Sequence, residues 1–403
     1  KRQPLYKAFL DAGSEAGYPV TDDICGYRQE GFGVFDMSID NGERNSTAKA
    51  YLDPARPRQN LKVITEAQVQ KILFNGNEAI GISYKKANGE TIKVEASQEV
   101  ILSAGAVGSP QLLMLSGVGP ASHLREHGIP IVADLPGVGQ NLNDHPDFVL
   151  KYRCLQPVSI WPQTRLIGRT FAGIRWILRR DGICASNQFE AVACVRSGAG
   201  VEYPDIQYHF LPLAVRYDGK LPIKGHGFQA HVGPMRSKSR GYVALRSNEP
   251  KEAPKIQFNY MSHDSDWADF RNCIRLTREI FSQPAFEPFA RMEVSPGDAL
   301  QSDDQLNNYI RNNVESAYHP CGTCKMGDRA DRMSVVDPET RVIGVDKLRV
   351  ADSSIFPQIT NGNLNAPSIM VGEKASDHIL GKNLLPKSND VPWIHPDWET
   401  TQR

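Results

Sequence analysis

At 403 residues, with 40% hydrophobic and 23% charged side chains, the chain has ordinary globular composition and length for two or three domains. Basic and acidic side chains balance at 46 each, so bulk charge points to no nucleic-acid or polyanion partner. Seven scattered cysteines do not make a secreted disulfide framework; a reducing compartment is expected, and the sequon Asn45-Ser46-Thr47 carries weight only on a secretory route.

A helix is expected in LYKAFLDAGSEAG, then a Gly-rich loop and strands in LKVIT, VQKILF, AIGISYKK and TIKVEA, with Asn-Gly turns at 75–76 and 88–89. EVILSAG reads as a buried strand ending in a Gly turn. SPQLLMLSG then opens a helix, with Ser109 as cap and Pro110 at its first position. The charge-free run 100–124 is too interrupted by glycine, proline and serine to span a bilayer. From about Phe148 the runs FVLKYRC, FEAVACV, DIQYHFLPL, FQAHVGPM and GYVALRS alternate apolar with polar residues. They predict an antiparallel sheet with one face covered and one lining a site. Helices follow in DWADFRNCIRLTREIFSQ and DDQLNNYIRNNV, then a strand LRVAD, a polar loop and a helix from PSIMVGEKASDHIL. The fold class is therefore mixed α/β and α+β, and the final strand-loop-helix junction is where a site is expected.

YHPCGTCKMG, residues 318–327, admits three readings: a redox dithiol, part of a metal centre, or a catalytic histidine among packing cysteines. A thioredoxin-like CxxC opens a helix after a buried strand, which this loop does not, and the other cysteines supply no second pair for zinc. No metal is expected. His319 is then either a satisfied structural histidine or a general base, the role its pKa range suits. In NGNLNAPSIMVGE, Asn365 is a helix N-cap, a donor beside an anion-binding helix terminus, or both. Glu190, between Phe189 and Ala191 in an apolar strand, is either solvated or a buried partner for a cation.

GAVGSPQLLMLSGVG (105–119) is too long a string to arise by chance, and with RNSTAKAYLDP, LPGVGQNLNDH, YHP and LRVADSSIFP in order it resembles the glucose–methanol–choline (GMC) flavoprotein oxidoreductases. GICASNQFEA, IQYHFLPLA, HVGPMRS and GNLNAPSIM resemble the choline-oxidising members. The resemblance covers nearly the whole chain, yet the G-x-G-x-x-G unit that opens the family pattern is absent. This implies a C-terminal portion whose FAD-binding domain is incomplete and whose activity alone is in doubt. It implies residues 1–147 as part of the FAD-binding domain, 148–318 as a substrate domain of mainly antiparallel sheet, and 319–403 as a return to the first.

The implied reaction is FAD-dependent oxidation of choline to betaine aldehyde, by proton abstraction and hydride transfer to flavin N5. By resemblance His319 is the base, Asn365 its partner and Glu190 the carboxylate for the quaternary ammonium. Trp161, Tyr208 and Phe210 are aromatic candidates for the cage. Cofactor contacts are carried over to Val69, Asp352, Ser353, Ala366 and Ser368. The tail ending in TTQR resembles animal members and implies a mitochondrial, inner-membrane-associated location with a membrane electron acceptor. Another primary alcohol as substrate, or a non-catalytic fragment, are the competing expectations.

Overall fold

Helix α1 (Pro4–Glu15) begins on Gln3, whose side chain accepts the Leu5 amide, and Pro4 sits where a helix needs no donor. Its Leu5, Phe9 and Ala12 form one fully buried stripe. The computed structural model describes residues 3–216, 219 and 223–403. Strand β1 (Gly31–Val34) precedes an antiparallel meander of β2 (Ala67–Asn75), β3 (Glu78–Lys86) and β4 (Thr91–Glu95). Gly76 and Gly89 turn its corners at φ +61° and +91°, where a side chain would strain. Residues 61–65, expected as a strand, have no regular structure.

After β5 (Val100–Leu102), helix α2 (Gly105–Leu115) starts a turn earlier than the Ser109-Pro110 pair predicts, leaving Pro110 inside it. Proline has no N–H for the carbonyl four residues back. The Thr323 hydroxyl, 217 residues away, donates to that Ala106 carbonyl at 2.6 Å instead. Ser109 does not cap; its hydroxyl donates to Asp352 at 2.6 Å and accepts the Ala104 amide at 3.1 Å.

The chain continues through β6 (Pro146–Cys154), α3 (Leu166–Arg179), β7 (Ala191–Val195), β8 (Ile206–Leu211), β9 (Gly227–Pro234), α4 (Asp264–Phe281), β10 (Ala290–Ser295) and α5 (Asp303–Asn313). Strands β1-β7-β8-β9-β6-β10 pair antiparallel in that order, and Glu315–Ser316 adds to β6, completing seven strands. Last come β11 (Leu348–Val350), parallel to β5, and α6 (Asn365–Ile379).

Side chains alternate across the sheet as the pleat requires. Phe148, Leu150, Tyr208, Phe210, Phe228 and Val232 enter one core with α1 and α4, and Phe9 stacks on Phe210 at 4.9 Å. Burying each aromatic ring contributes roughly 2–3 kcal/mol. The intervening residues, Asp147, Gln207, His209, Gln229 and His231, face the other way. A second core joins β5, α2 and β11 to the loop holding Cys321 and Cys324. Leu5, Phe9 and Phe32 belong to the sheet's core, because the amphipathic α1 finds its apolar surface there.

Candidate active site

His319 follows Glu315–Ser316, and Asp144 anchors it. That carboxylate accepts the His319 and His145 amides, each at 2.9 Å, and the hydroxyls of Ser316 and Tyr260. Burial raises the Asp144 pKa, with these bonds opposing the rise. Tyr318 turns the chain into the site at φ +64°, an uncommon conformation for an aromatic residue.

Hydrogen bonds set the tautomers of His145 and His319. His145 Nε2 lies 3.0 Å from the Thr360 carbonyl, which only accepts, so that nitrogen carries the proton. His145 Nδ1 is then a lone pair, and it faces His319 Nδ1 at 3.0 Å. His319 must donate from Nδ1, which leaves its Nε2 unprotonated. Asn363 agrees with this assignment. Gln207 Nε2 donates to Asn363 Oδ1 at 3.2 Å, which turns the carboxamide nitrogen to 3.3 Å from His319 Nε2 and 3.2 Å from His209 Nε2. Gln229 acts likewise on His231. Its Oε1 accepts the Val215 amide at 2.8 Å, so its Nε2 donates to His231 Nε2 at 2.8 Å, and His231 Nδ1 faces Asp147 at 3.4 Å.

Burial, and then the neighbouring imidazoles, pull His145 and His209 down to about 3. Burial also lowers His319, against the pull of Asp147. Three imidazoles favoured in the neutral form, His145, His209 and His319, therefore stand with the carboxylates Asp144 and Asp147. The array can take a proton at His319 Nε2, and its electrostatics favour a cation.

Glu190 precedes β7, and its carbonyl accepts the Phe35 amide at 3.1 Å. Alternation puts its side chain on the face opposite Ala191 and the core, where the Ser186 hydroxyl donates to it at 2.8 Å. Phe35 stacks on His209 at 5.3 Å, and Phe189 meets His209 and His231 edge-on at 6.2 and 5.4 Å. These are the site's aromatic surfaces. Tyr208 and Phe210, expected to line it, point into the core because they alternate with Gln207 and His209. Trp161 packs on His226 and Arg165 at the start of α3.

Asn365, expected as the partner of His319, lies at the start of α6. Its side chain is exposed and reaches Ser38 at 3.4 Å, whereas Asn363, two residues earlier, meets His319. Gly362, at φ +150°, lets the loop turn Asn363 inward before α6 begins. Sequence reasoning missed Asn363, His145, Gln207 and Gln229; the polar-for-apolar alternation of the strands signalled the two glutamines. Cys321 and Cys324 are fully buried. Burial pushes the Cys321 thiol up to about 12 and Cys324 higher, so they pack rather than react.

The residues suit a dinucleotide with a ring system. A groove of about 590 Å³, lined by Val69, Ile82, Val94, Ile101 and Ala104, runs beside the C-terminal end of β5, apolar as a purine base requires. Elsewhere, α6 starts with no side-chain cap, leaving the Asn365 and Ala366 amides at its positive terminus. Asp352 caps α2 through the Gly105 amide at 2.9 Å, Ser353 donates to the Pro320 carbonyl at 3.2 Å, and Ser368 bonds back to Leu364 at 2.7 Å. Among the carried-over contacts, these three are thus engaged within the protein.

GMC oxidoreductase family models match residues 1–147, as the N-terminal domain, and 237–372, as the C-terminal one. An oxygen-dependent choline dehydrogenase of Brucella suis is 58% identical over 401 residues, covering 99% of this chain and 72% of the relative. Its counterpart in Sinorhizobium medicae is 53% identical over 402 residues, covering 100% and 73%. Formate oxidase of Aspergillus oryzae superposes with a TM-score of 0.87 at 26% identity, covering 94% of this chain and 70% of that one. A fungal aryl-alcohol oxidase gives 0.80 at 25%. The curated relatives are bacterial, which overturns the expected mitochondrial inner-membrane location. Among the described residues no helix is long and apolar enough to cross a membrane.

Proposed function

The chain belongs to the GMC oxidoreductase family, and from that premise we propose that it is an FAD-dependent alcohol dehydrogenase oxidising choline to betaine aldehyde. The observation that carries the chemistry is the Nδ1-protonated tautomer of His319, imposed through His145 by the Thr360 carbonyl. Its Nε2 lone pair takes the alcohol proton, and the general base contributes about 10²–10⁴-fold. Asn363 Nδ2, beside that lone pair, donates to the oxygen as negative charge develops there. Gln207 keeps this donor aimed, since a flipped carboxamide would present oxygen to the His319 lone pair.

FAD, when bound, supplies the two-electron acceptor; Val69 with its groove would hold the adenine end, and the Asn365 and Ala366 amides the ring end. A quaternary ammonium has no N–H to donate, so it needs charge and π faces. Glu190 offers the charge, Phe35 and Phe189 the faces, and the neutral histidines add no opposing cation. Oxygen as electron acceptor accords with the names of the bacterial relatives.

The test compares choline with its uncharged isostere 3,3-dimethylbutan-1-ol in the FAD-loaded chain. Glu190→Gln should lower kcat/KM for choline by about 10²-fold or more while changing the isostere less than about threefold. Equal losses for both alcohols would remove Glu190 as the cation's partner.

A further inference from the structure

Helix α3 turns its apolar side to solvent. Ile167, Phe171, Ile174 and Leu178 are 72%, 69%, 48% and 76% exposed. Their spacing of four, three and four is that of the a and d seam of a packed helix pair. Leu166 and Ile177, 82% and 65% exposed, widen the same arc. The opposite side holds the helix down. Trp176 Nε1 donates to the Gly42 carbonyl at 2.6 Å, and a Cβ on Gly168 would stand 2.1 Å from the Pro162 carbonyl.

The arginines of this helix and of its C-cap lie off the seam, and two are already engaged, Arg175 within the helix and Arg180 at the cap. Arg175 grips Asp181 through two bonds, at 2.6 and 3.0 Å, while Arg180 bonds Glu43 at 2.5 Å and covers the Trp176 ring at 4.2 Å. A helix lying on an anionic bilayer needs its cations free on the flanks of its apolar face. Here the flanking charge is partly neutralised within the chain, and the apolar residues form a seam. The six side chains expose about 700 Å², above the usual largest patch of a monomer and close to one partner's share of a standard interface.

We propose that this face is a two-fold contact between two copies of the chain, with α3 packed antiparallel on α3. An isologous contact needs only this one surface, and the antiparallel arrangement sets Phe171 of each copy beside Ile174 of the other. The contact is independent of the reaction assigned above.

Sedimentation velocity across micromolar concentrations tests it, on the chain and on a Phe171→Glu/Ile174→Glu double variant. Both residues are exposed, so the variant should keep the wild-type far-UV spectrum and melting temperature. The wild type should sediment as a dimer, and the double variant should raise the dimer dissociation constant at least about 100-fold. A wild type that stays monomeric overturns the proposal, as does a dimer that the double substitution leaves intact. Monomeric wild type that instead floats with phosphatidylcholine–phosphatidylglycerol vesicles would assign the face to lipid and equally overturn it.

Discussion

Thr323→Val should destabilise the fold through one carbonyl. Thr323 is fully buried, and its hydroxyl donates to Ala106 inside α2 at the position that Pro110 deprives of a partner. Valine keeps the shape and removes the donor, so the buried carbonyl is left unsatisfied at a cost of about 1–3 kcal/mol. For a chain of this length that corresponds to a melting temperature lower by roughly 1–3 °C. Pro110→Ala restores an amide that can reach the same carbonyl. In that background Thr323→Val should cost less than about 1 kcal/mol, a coupling that a double-mutant cycle by calorimetry or urea titration measures. If Thr323→Val costs the same in the wild type and in the Pro110→Ala background, the hydroxyl does not serve that carbonyl. The account of why proline is tolerated in mid-helix would then fail.

Asn363→Ala should lower kcat/KM by about 10²-fold, the usual loss of one aimed donor, while Asn365→Ala should cost under tenfold. Steady-state kinetics with choline decides between them. The acid limb of kcat/KM should fall with a midpoint below 6.5, because burial lowers His319 and the neutral form is the base. Stability should also drop as pH falls from 6.5 toward 3. There the unfolded chain protonates histidines that His145 and His209 keep neutral in the fold, each adding up to about 1.4 kcal/mol per pH unit. Urea midpoints at successive pH values read this out. Arg196→Met should cost about 3–5 kcal/mol, since it strands Glu30 in the interior. It also removes the donor to the Thr401 carbonyl, so limited proteolysis should cut the C-terminal tail faster than in the wild type.

Where one physical rule decided the outcome, the sequence was legible. The meander followed from its turn glycines, and the antiparallel sheet from strict alternation in IQYHFL and FQAHV. His319 was singled out in the sequence by its distinctive turn residues. Its partner was not. Asn363 and Asn365 are equivalent as residues, and only the turn at Gly362 decides which one faces inward. The start of α2 was hidden for a similar reason, since Pro110 is tolerated through a residue far away in sequence. Helix α3 was absent from the expectations, although its apolar spacing is helical; strand-like runs on both sides drew the reading there. Tyr208 and Phe210 were misplaced because aromatic character says nothing of which side of a strand a ring takes.

That alternation on β8 has a practical consequence for anyone altering the protein. Tyr208 and Phe210 hold the core, while Gln207 and His209, one position over, set the proton inventory of the site. A single inserted or deleted residue within β8 exchanges the two sets, so folding and turnover should vanish together. A two-residue change keeps the parity and gives the surrounding turns a chance to absorb the difference. Libraries that vary strand length should therefore be scored by odd and even steps, with survivors expected among the even ones.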